Sequence, residues 1–262
     1  MTLNIIKGGQ SFAPKIYLYG REGIGKTTFV TTCPSPLIID FDGGAGRYNV
    51  DSLKVTSTDE LLSVLTELRK AEYRTIAIDT LEALERLIYA EICRKGKTDS
   101  IEKYGGGFGK GYVTAGEVMG RILDALSALI PLRKMPVVLG QCEVKSLSDP
   151  EGEKSMYIPR ANKHLANRVM EWADIVGFAT REQSAATGSG NRVMFTTPTT
   201  RAVAKSRLTL PERIDLSFTP IAKALKQPKD RPEGEGKNKA ASKTASTEAA
   251  DTGEEGEHGQ EE

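Results

Sequence analysis

The sequence predicts an α/β fold, with a mostly parallel sheet, helices on both of its faces and a late antiparallel hairpin at one edge. Three observations carry that expectation. Short apolar runs alternate with stretches of helical periodicity through most of the 262 residues. The first apolar run, Lys15-Ile16-Tyr17-Leu18-Tyr19, is joined to its helix by the glycine-rich turn Gly20-Arg21-Glu22-Gly23-Ile24-Gly25-Lys26-Thr27. Late in the chain, Val193 to Thr197 and Arg201 to Ser206 flank Pro198 and Thr199 in the manner of two hairpin strands.

Each element follows from its own residues. A short helix opens at Thr27 and stops at Pro34, and Pro36-Leu37-Ile38-Ile39-Asp40 forms a second strand closed by Gly43 and Gly44. Thr58 caps a helix over Asp59 to Ala71 that sets Leu61, Leu62, Leu65 and Leu68 on one face. Thr75-Ile76-Ala77-Ile78-Asp79 is a buried strand that ends in an acid, and a helix runs from Leu81 to about Arg94. The polar, glycine-rich stretch from Lys95 to Gly111 precedes a helix over Val113 to Leu132. Pro136-Val137-Val138-Leu139-Gly140-Gln141 is the next strand, with a long polar loop to about Pro159 behind it. A helix from Ala161 to Glu171 then leads into the strand Ala173 to Phe178.

Composition sets the outer limits. A chain of 262 residues, 39% of them hydrophobic, accommodates one α/β domain of ordinary size, expected over 15–227, with an N-terminal extension over 1–14 and a tail over 228–262. The net charge of +1 hides a polarised chain. From Pro228 onward there are ten acidic and five basic residues, which leaves +6 on residues 1–227. A basic core with an acidic, Gly/Ala/Ser/Thr/Glu-rich tail suits a polyanion-binding surface and a detachable competitor for it, and equally a tail that only aids solubility. Cys33, Cys93 and Cys142 lie far apart without metal-ligand spacing, so they read as small hydrophobes in a reducing cytoplasm. Neither a secretory leader nor a membrane-length apolar run is present, and a cytoplasmic location is expected.

The turn from Gly20 to Thr27 is a complete phosphate-binding loop, G-x-x-x-x-G-K-T. Its glycines let consecutive backbone N–H groups curl around a β-phosphate, Lys26 brings a point charge to the β/γ oxygens, and the Thr27 hydroxyl ligates Mg²⁺. Thr28 stands in the first turn of the helix, whose positive dipole end adds to the field. The expected ligand is therefore a nucleoside triphosphate with Mg. Asp79, at the end of its strand, is placed to hold the water shell of that metal, or else to cap the next helix. Asp40 and Asp42 flank Phe41 past the second strand. Either can orient an attacking water, and the side-chain period of two puts both on one side.

The order G-x-x-x-x-G-K-T-T, I-I-D-F-D-G-G, A-I-D-T and V-V-L-G-Q resembles the RecA-type recombinase core, closest to small phage-encoded ATPases that act as single-strand annealing or recombination proteins. The resemblance spans roughly Lys15 to Leu225. It implies a RecA-like P-loop NTPase core in which Asp42 activates water and the residue ending the fourth core strand, Gln141, senses the γ-phosphate and couples it to a DNA-binding loop. Gln141 matches the bacterial recombinase and replaces the His of many phage relatives. The resemblance also makes Lys205 and Arg207, in Lys205-Ser206-Arg207, the K-x-R finger that reaches a neighbouring subunit's γ-phosphate. On an edge strand the same two cations would otherwise only discourage aggregation.

Two segments combine cations with aromatics, as single-strand binding requires. The first, Arg94 to Tyr112, carries Lys103, Tyr104 and Lys110 among six glycines. The second, Cys142 to Lys163, carries Lys145, Lys154, Tyr157, Arg160 and Lys163. Both match the positions of the recombinase family's DNA-contacting loops, although a solvated surface loop has the same composition. The expected protein is an ATP-dependent, oligomeric single-strand DNA binder that anneals or exchanges strands. A helicase-like motor and an ATP-switched binder with negligible turnover are the alternatives. Ring or filament, and any single-strand-binding-protein partner, stay open.

Overall fold

The computed structural model describes residues 13–149, 152–182 and 190–226, with 147–149 and 152–154 given by their backbone alone. The acidic tail and most of the N-terminal extension lie outside the described residues. Strands β1 (Ile16–Gly20), β2 (Pro36–Asp40), β3 (Asp51–Lys54), β4 (Thr75–Asp79), β5 (Met135–Asp149), β7 (Ile175–Arg181), β8 (Arg192–Phe195) and β10 (Arg213–Asp215) form one sheet in the order β10-β8-β7-β1-β5-β4-β2-β3. From β7 to β3 every pairing is parallel, whereas β8 and β10 add an antiparallel edge.

Parallel strands need crossover helices, and these bury both faces of the sheet. Within β1 the alternation is direct: Tyr17 and Tyr19 face one side, Ile16 and Leu18 the other. The tyrosine face packs on α2 (Thr58–Glu67), α3 (Leu81–Gly96), α4 (Lys110–Ser127) and α5 (Lys163–Trp172) through Leu61, Ile88, Met119 and Leu165. The opposite face packs on α1 (Lys26–Thr31) and α6 (Thr219–Lys226) through Phe29, Val30 and Ile221. Because all the central strands run the same way, the carboxyl ends of β1, β4 and β5 open on one rim, with β5 between the other two.

The expected fold class holds, and several elements differ in detail. The stretch after Gln141 is no loop. The 15-residue β5 runs straight out of the sheet and pairs antiparallel with β6 (Gly152–Pro159), from Cys142↔Pro159 to Asp149↔Gly152. Its residues from Glu143 to Ser146 are solvent-exposed, so the hydrophobic alternation that marks a half-buried strand is weak. The late hairpin is also built differently. β8 pairs with β7 and β10, while β9 (Lys205–Ser206) returns to the beginning of β7, opposite Ile175 and Val176. Strand β3 and helix α6 are short additions, and the α2 cap is Ser57, which accepts from Glu60 N, in place of Thr58. Trp172 is partly buried against the core, with its indole N–H donating to Ser127 Oγ at 2.8 Å, and all three cysteines are free.

Candidate nucleotide site

β1 delivers the buried Gly20 to the rim, and the loop behind it turns through Gly23 and Gly25, whose φ values of 69° and 109° strongly favour glycine. Lys26 is folded onto this loop, donating from Nζ to the Gly20 and Arg21 carbonyls at 3.0 Å each. Burial lowers its pKa, against the opposing pull of Asp79 and Glu82. Thr27 Oγ1 donates to Asp79 Oδ2 at 2.9 Å, which ties the first turn of α1 to the end of β4. Burial raises the Asp79 pKa, and the Thr27 bond works the other way.

These side chains line a cavity of about 240 Å³. Lys26, Thr27 and Thr28 form one wall; Asp79 and Gln141 stand on the other strands. A hydroxyl and one carboxylate meeting beside a phosphate cradle are a donor set that suits Mg²⁺, which keeps several waters and takes phosphate oxygens as further ligands. No cluster of three or more His, Cys, Asp or Glu that would hold a metal by itself occurs among the described residues. Gly20 and Ile24 are buried beneath the loop, whereas Arg21, Glu22 and Gly23 are exposed on it.

The two acids past β2 are not equivalent. Asp40, 6% exposed, accepts Asp42 N at 3.0 Å and Gly43 N at 2.9 Å on Oδ1, and Ala45 N at 2.8 Å on Oδ2. It organises the turn. Asp42 is outside the cavity lining and is held by Arg86 Nη2 at 2.9 Å, both side chains being more than half exposed. Gln141 is fixed through its backbone: its N–H donates to Glu82 Oε1 at 2.9 Å and its carbonyl accepts Arg160 N at 3.0 Å, while its side-chain Oε1 has no partner. That amide lines the phosphate cavity.

Sequence reasoning passed over three residues here. Glu82, 5% exposed, holds Gln141, and only its place in the first turn of α3 hinted at a role. Tyr48 and Arg192 line the phosphate cavity from remote positions with no local signal. The loop is also bonded to β6: Arg21 Nη2 donates to Tyr157 Oη at 2.8 Å with its guanidinium 5.1 Å from that ring, and Glu22 Oε1 takes Arg160 Nη1 at 3.5 Å.

The remaining cations are spread over the surface. Lys205 Nζ and Arg207 Nη2 both reach the Glu171 carbonyl, at 3.3 and 3.4 Å, and Arg207 Nη1 pairs with Asp174 at 2.8 Å. They sit together at the start of β7, the end of the sheet remote from the phosphate loop. Lys103 pairs with Asp99 at 3.1 Å and Lys110 donates to the Gly105 carbonyl at 3.1 Å. Lys145 is exposed on β5, Lys163 is exposed at the start of α5, and the Lys154 side chain lies outside the described residues. Between Lys103 and Lys110, Phe108 is fully exposed.

No helix among the described residues is long and apolar enough to cross a membrane. None of the curated proteins matches the chain. Among solved structures, a KaiC-like protein of the hyperthermophilic archaeon Pyrococcus horikoshii is similar at 11% identity and a TM-score of 0.41, over 70% of this chain and 77% of that one, a likeness too slight to carry an argument. The model of the AAA domain family matches residues 13–208, from the approach to β1 through β9 and with the whole phosphate cavity inside it, so the chain belongs to the AAA domain family of P-loop NTPases.

Proposed function

We propose that this protein is an ATP-dependent, single-stranded-DNA-binding protein that promotes strand annealing or exchange as an oligomer and hydrolyses Mg-ATP at its subunit interfaces. One observation carries the reading. The strand that places Gln141 in the phosphate cavity is the same strand that continues, without a break, into the hairpin of β5 and β6, which exposes Lys145 and is followed directly by Arg160. The hairpin's return is bonded to the loop through Arg21–Tyr157 and Glu22–Arg160. A change at the phosphates thus has two short covalent or hydrogen-bonded routes to cations suited to a phosphate backbone.

Lys26 is placed to exchange the Gly20 and Arg21 carbonyls for phosphate oxygens, and Thr27 with Asp79 would hold a Mg²⁺ ion, which would supply charge neutralisation on the phosphates. Gln141, in the cavity lining, offers its side-chain NH₂ to the γ-phosphate. Asp42 reaches an attacking water after leaving Arg86, an exposed pair worth no more than about 1 kcal/mol. Lys205 and Arg207 face away from their own loop, so their service is to a neighbour. The fully exposed Phe108, bracketed by Lys103 and Lys110, is a stacking platform for an unpaired base.

The test is steady-state ATP hydrolysis measured alone, with single-stranded DNA and with duplex. Stimulation by the single strand supports the reading. Unstimulated turnover overturns it, and ATP-driven directional unwinding of the duplex replaces it with a motor.

A further inference from the structure

At the antiparallel edge, β7 and β8 set Arg181 directly opposite Arg192. Like charges facing each other across a ladder are destabilising, and neither guanidinium meets a carboxylate among the described residues. The one acid in the chain between them, Glu182, is paired with Arg213, and Gln183 to Asn191 contains no Asp or Glu. Elsewhere on this edge the charges are matched, as in Arg213 with Glu182 at 2.5 Å.

The two arginines differ in what they border. Arg181 opens on a larger cavity of about 790 Å³ on the far side of the loop. Arg192 lies over the phosphate loop itself: a side-chain carbon placed on Gly25 would stand 2.8 Å from its Nη1 and 3.4 Å from its Cζ. Arg192 also lines the cavity shared by Lys26, Thr27, Asp79 and Gln141. A guanidinium is always charged and presents several donors in a fixed fork, the geometry that matches phosphate oxygens.

We infer that Arg192 is a cation contributed by the same chain to the bound nucleotide, holding the phosphate chain from above Gly25 while Lys26 holds it from within the loop. This rests on the nucleotide site proposed above. It goes beyond it by giving the antiparallel edge a part in that site: β8 carries a ligand-binding residue, and the unfavourable pairing with Arg181 is relieved when an anion arrives. Lys205 and Arg207 act on a neighbour's nucleotide, whereas Arg192 acts on its own.

Calorimetric titration of the full chain with Mg-ATP tests this, with Arg192→Ala, Arg192→Lys, Arg181→Ala and Lys26→Ala compared after thermal melts establish that each folds. Arg192→Ala is expected to weaken Mg-ATP by on the order of tenfold or more, the loss of one charged hydrogen-bonded contact. Arg192→Lys should recover part of that, and Arg181→Ala should stay within about twofold of the parent, because the charge must sit over Gly25 to act. If Arg192→Ala binds as the parent does while Lys26→Ala fails to bind, the inference is wrong and the site stands. If Lys26→Ala also binds normally, the site itself is wrong. An equal loss in Arg181→Ala reduces the effect to general charge and overturns the contact. Mixing Arg192→Ala with Lys26→Ala must not restore tight sites, since both groups belong to one chain; restoration would place Arg192 in trans and refute the assignment.

Discussion

Removing the Asp40 carboxylate tests whether this acid builds the site or works in it. Three backbone N–H groups converge on it, two on Oδ1 and one on Oδ2, and Asp40 itself is only 6% exposed. Asp40→Asn keeps an oxygen for Asp42 N and Gly43 N but turns an amide NH₂ toward the buried Ala45 N. One charge-assisted bond is lost and two donors face each other, for an expected destabilisation of about 2 kcal/mol. Asp40→Ala leaves all three donors without an acceptor. Those of Asp42 and Gly43 are only partly buried and can turn to water, so the total is about 3–4 kcal/mol and not three full bonds. Asp42→Asn loses only an exposed pair with Arg86 and should move stability by less than about 1 kcal/mol. Urea unfolding of the three variants beside the parent gives the ordering directly. If Asp40→Asn is as stable as the parent, holds ATP and has lost hydrolysis, then Asp40 is the base and its assignment to the turn is wrong.

The other expected outcomes concern catalysis and pH. The double variant Lys205→Ala/Arg207→Ala should bind Mg-ATP nearly as the parent does and hydrolyse it at least tenfold more slowly, the loss of transition-state charge stabilisation; mixing it with Lys26→Ala should restore turnover, and no restoration in demonstrated mixed oligomers argues against action in trans. Thr27→Ala should raise the Mg²⁺ concentration needed for half-maximal ATP binding, read by titrating the metal, because the hydroxyl that meets Asp79 is gone. For Glu82, burial raises the pKa more than the Gln141 and Thr80 bonds lower it, so the folded state disfavours the carboxylate relative to the unfolded chain. Its penalty is absent below the ordinary glutamate pKa and grows as pH rises through the folded value, so Glu82→Gln, which keeps an acceptor for Gln141 N, should melt with the parent in acid and above it at neutral pH. A gap in melting temperature that does not change with pH would refute that account.

The phosphate loop was legible because its chemistry fixes residue types at consecutive positions, and the strand before it and helix after it are local patterns. Asp79 was legible for a similar reason, an acid at the end of the buried run Ile76-Ala77-Ile78. The parallel core followed from alternation alone, since β1, β2, β4, the first half of β5 and the start of β7 are buried on both faces and read as short, mainly apolar runs. The hairpin beyond Gln141 escaped because a strand with no buried face has no period for a sequence to display. The pairing of β9 escaped because two residues carry no pattern, and its partner is fixed by Arg207 N bonding the Asp174 carbonyl across the fold. Asp40 and Asp42, two residues apart on either side of Phe41, were indistinguishable until the turn closed on one of them. Tyr48 and Arg192 reach the cavity only through tertiary structure, and nothing near either in the chain announces it.

Several cations assigned to DNA are already engaged within the chain: Lys103 with Asp99, Lys110 with a carbonyl and Arg160 with Glu22. That engagement does not count against the assignment, because each partner is exposed, and an exposed pair contributes at most about 1 kcal/mol and is screened by salt. A phosphate that displaces Asp99 exchanges one weak ion pair for another and gains the release of a condensed counter-ion, which is where the affinity of such surfaces originates. Arg160 is the informative case. Its partner Glu22 belongs to the phosphate loop and its own backbone N–H bonds the Gln141 carbonyl, so drawing Arg160 onto DNA frees a carboxylate beside the nucleotide while pulling on the strand that carries Gln141. On the proposed function, if a nucleotide loosens the Glu22–Arg160 pair and so strengthens DNA binding, linkage requires DNA to strengthen nucleotide binding by the same factor.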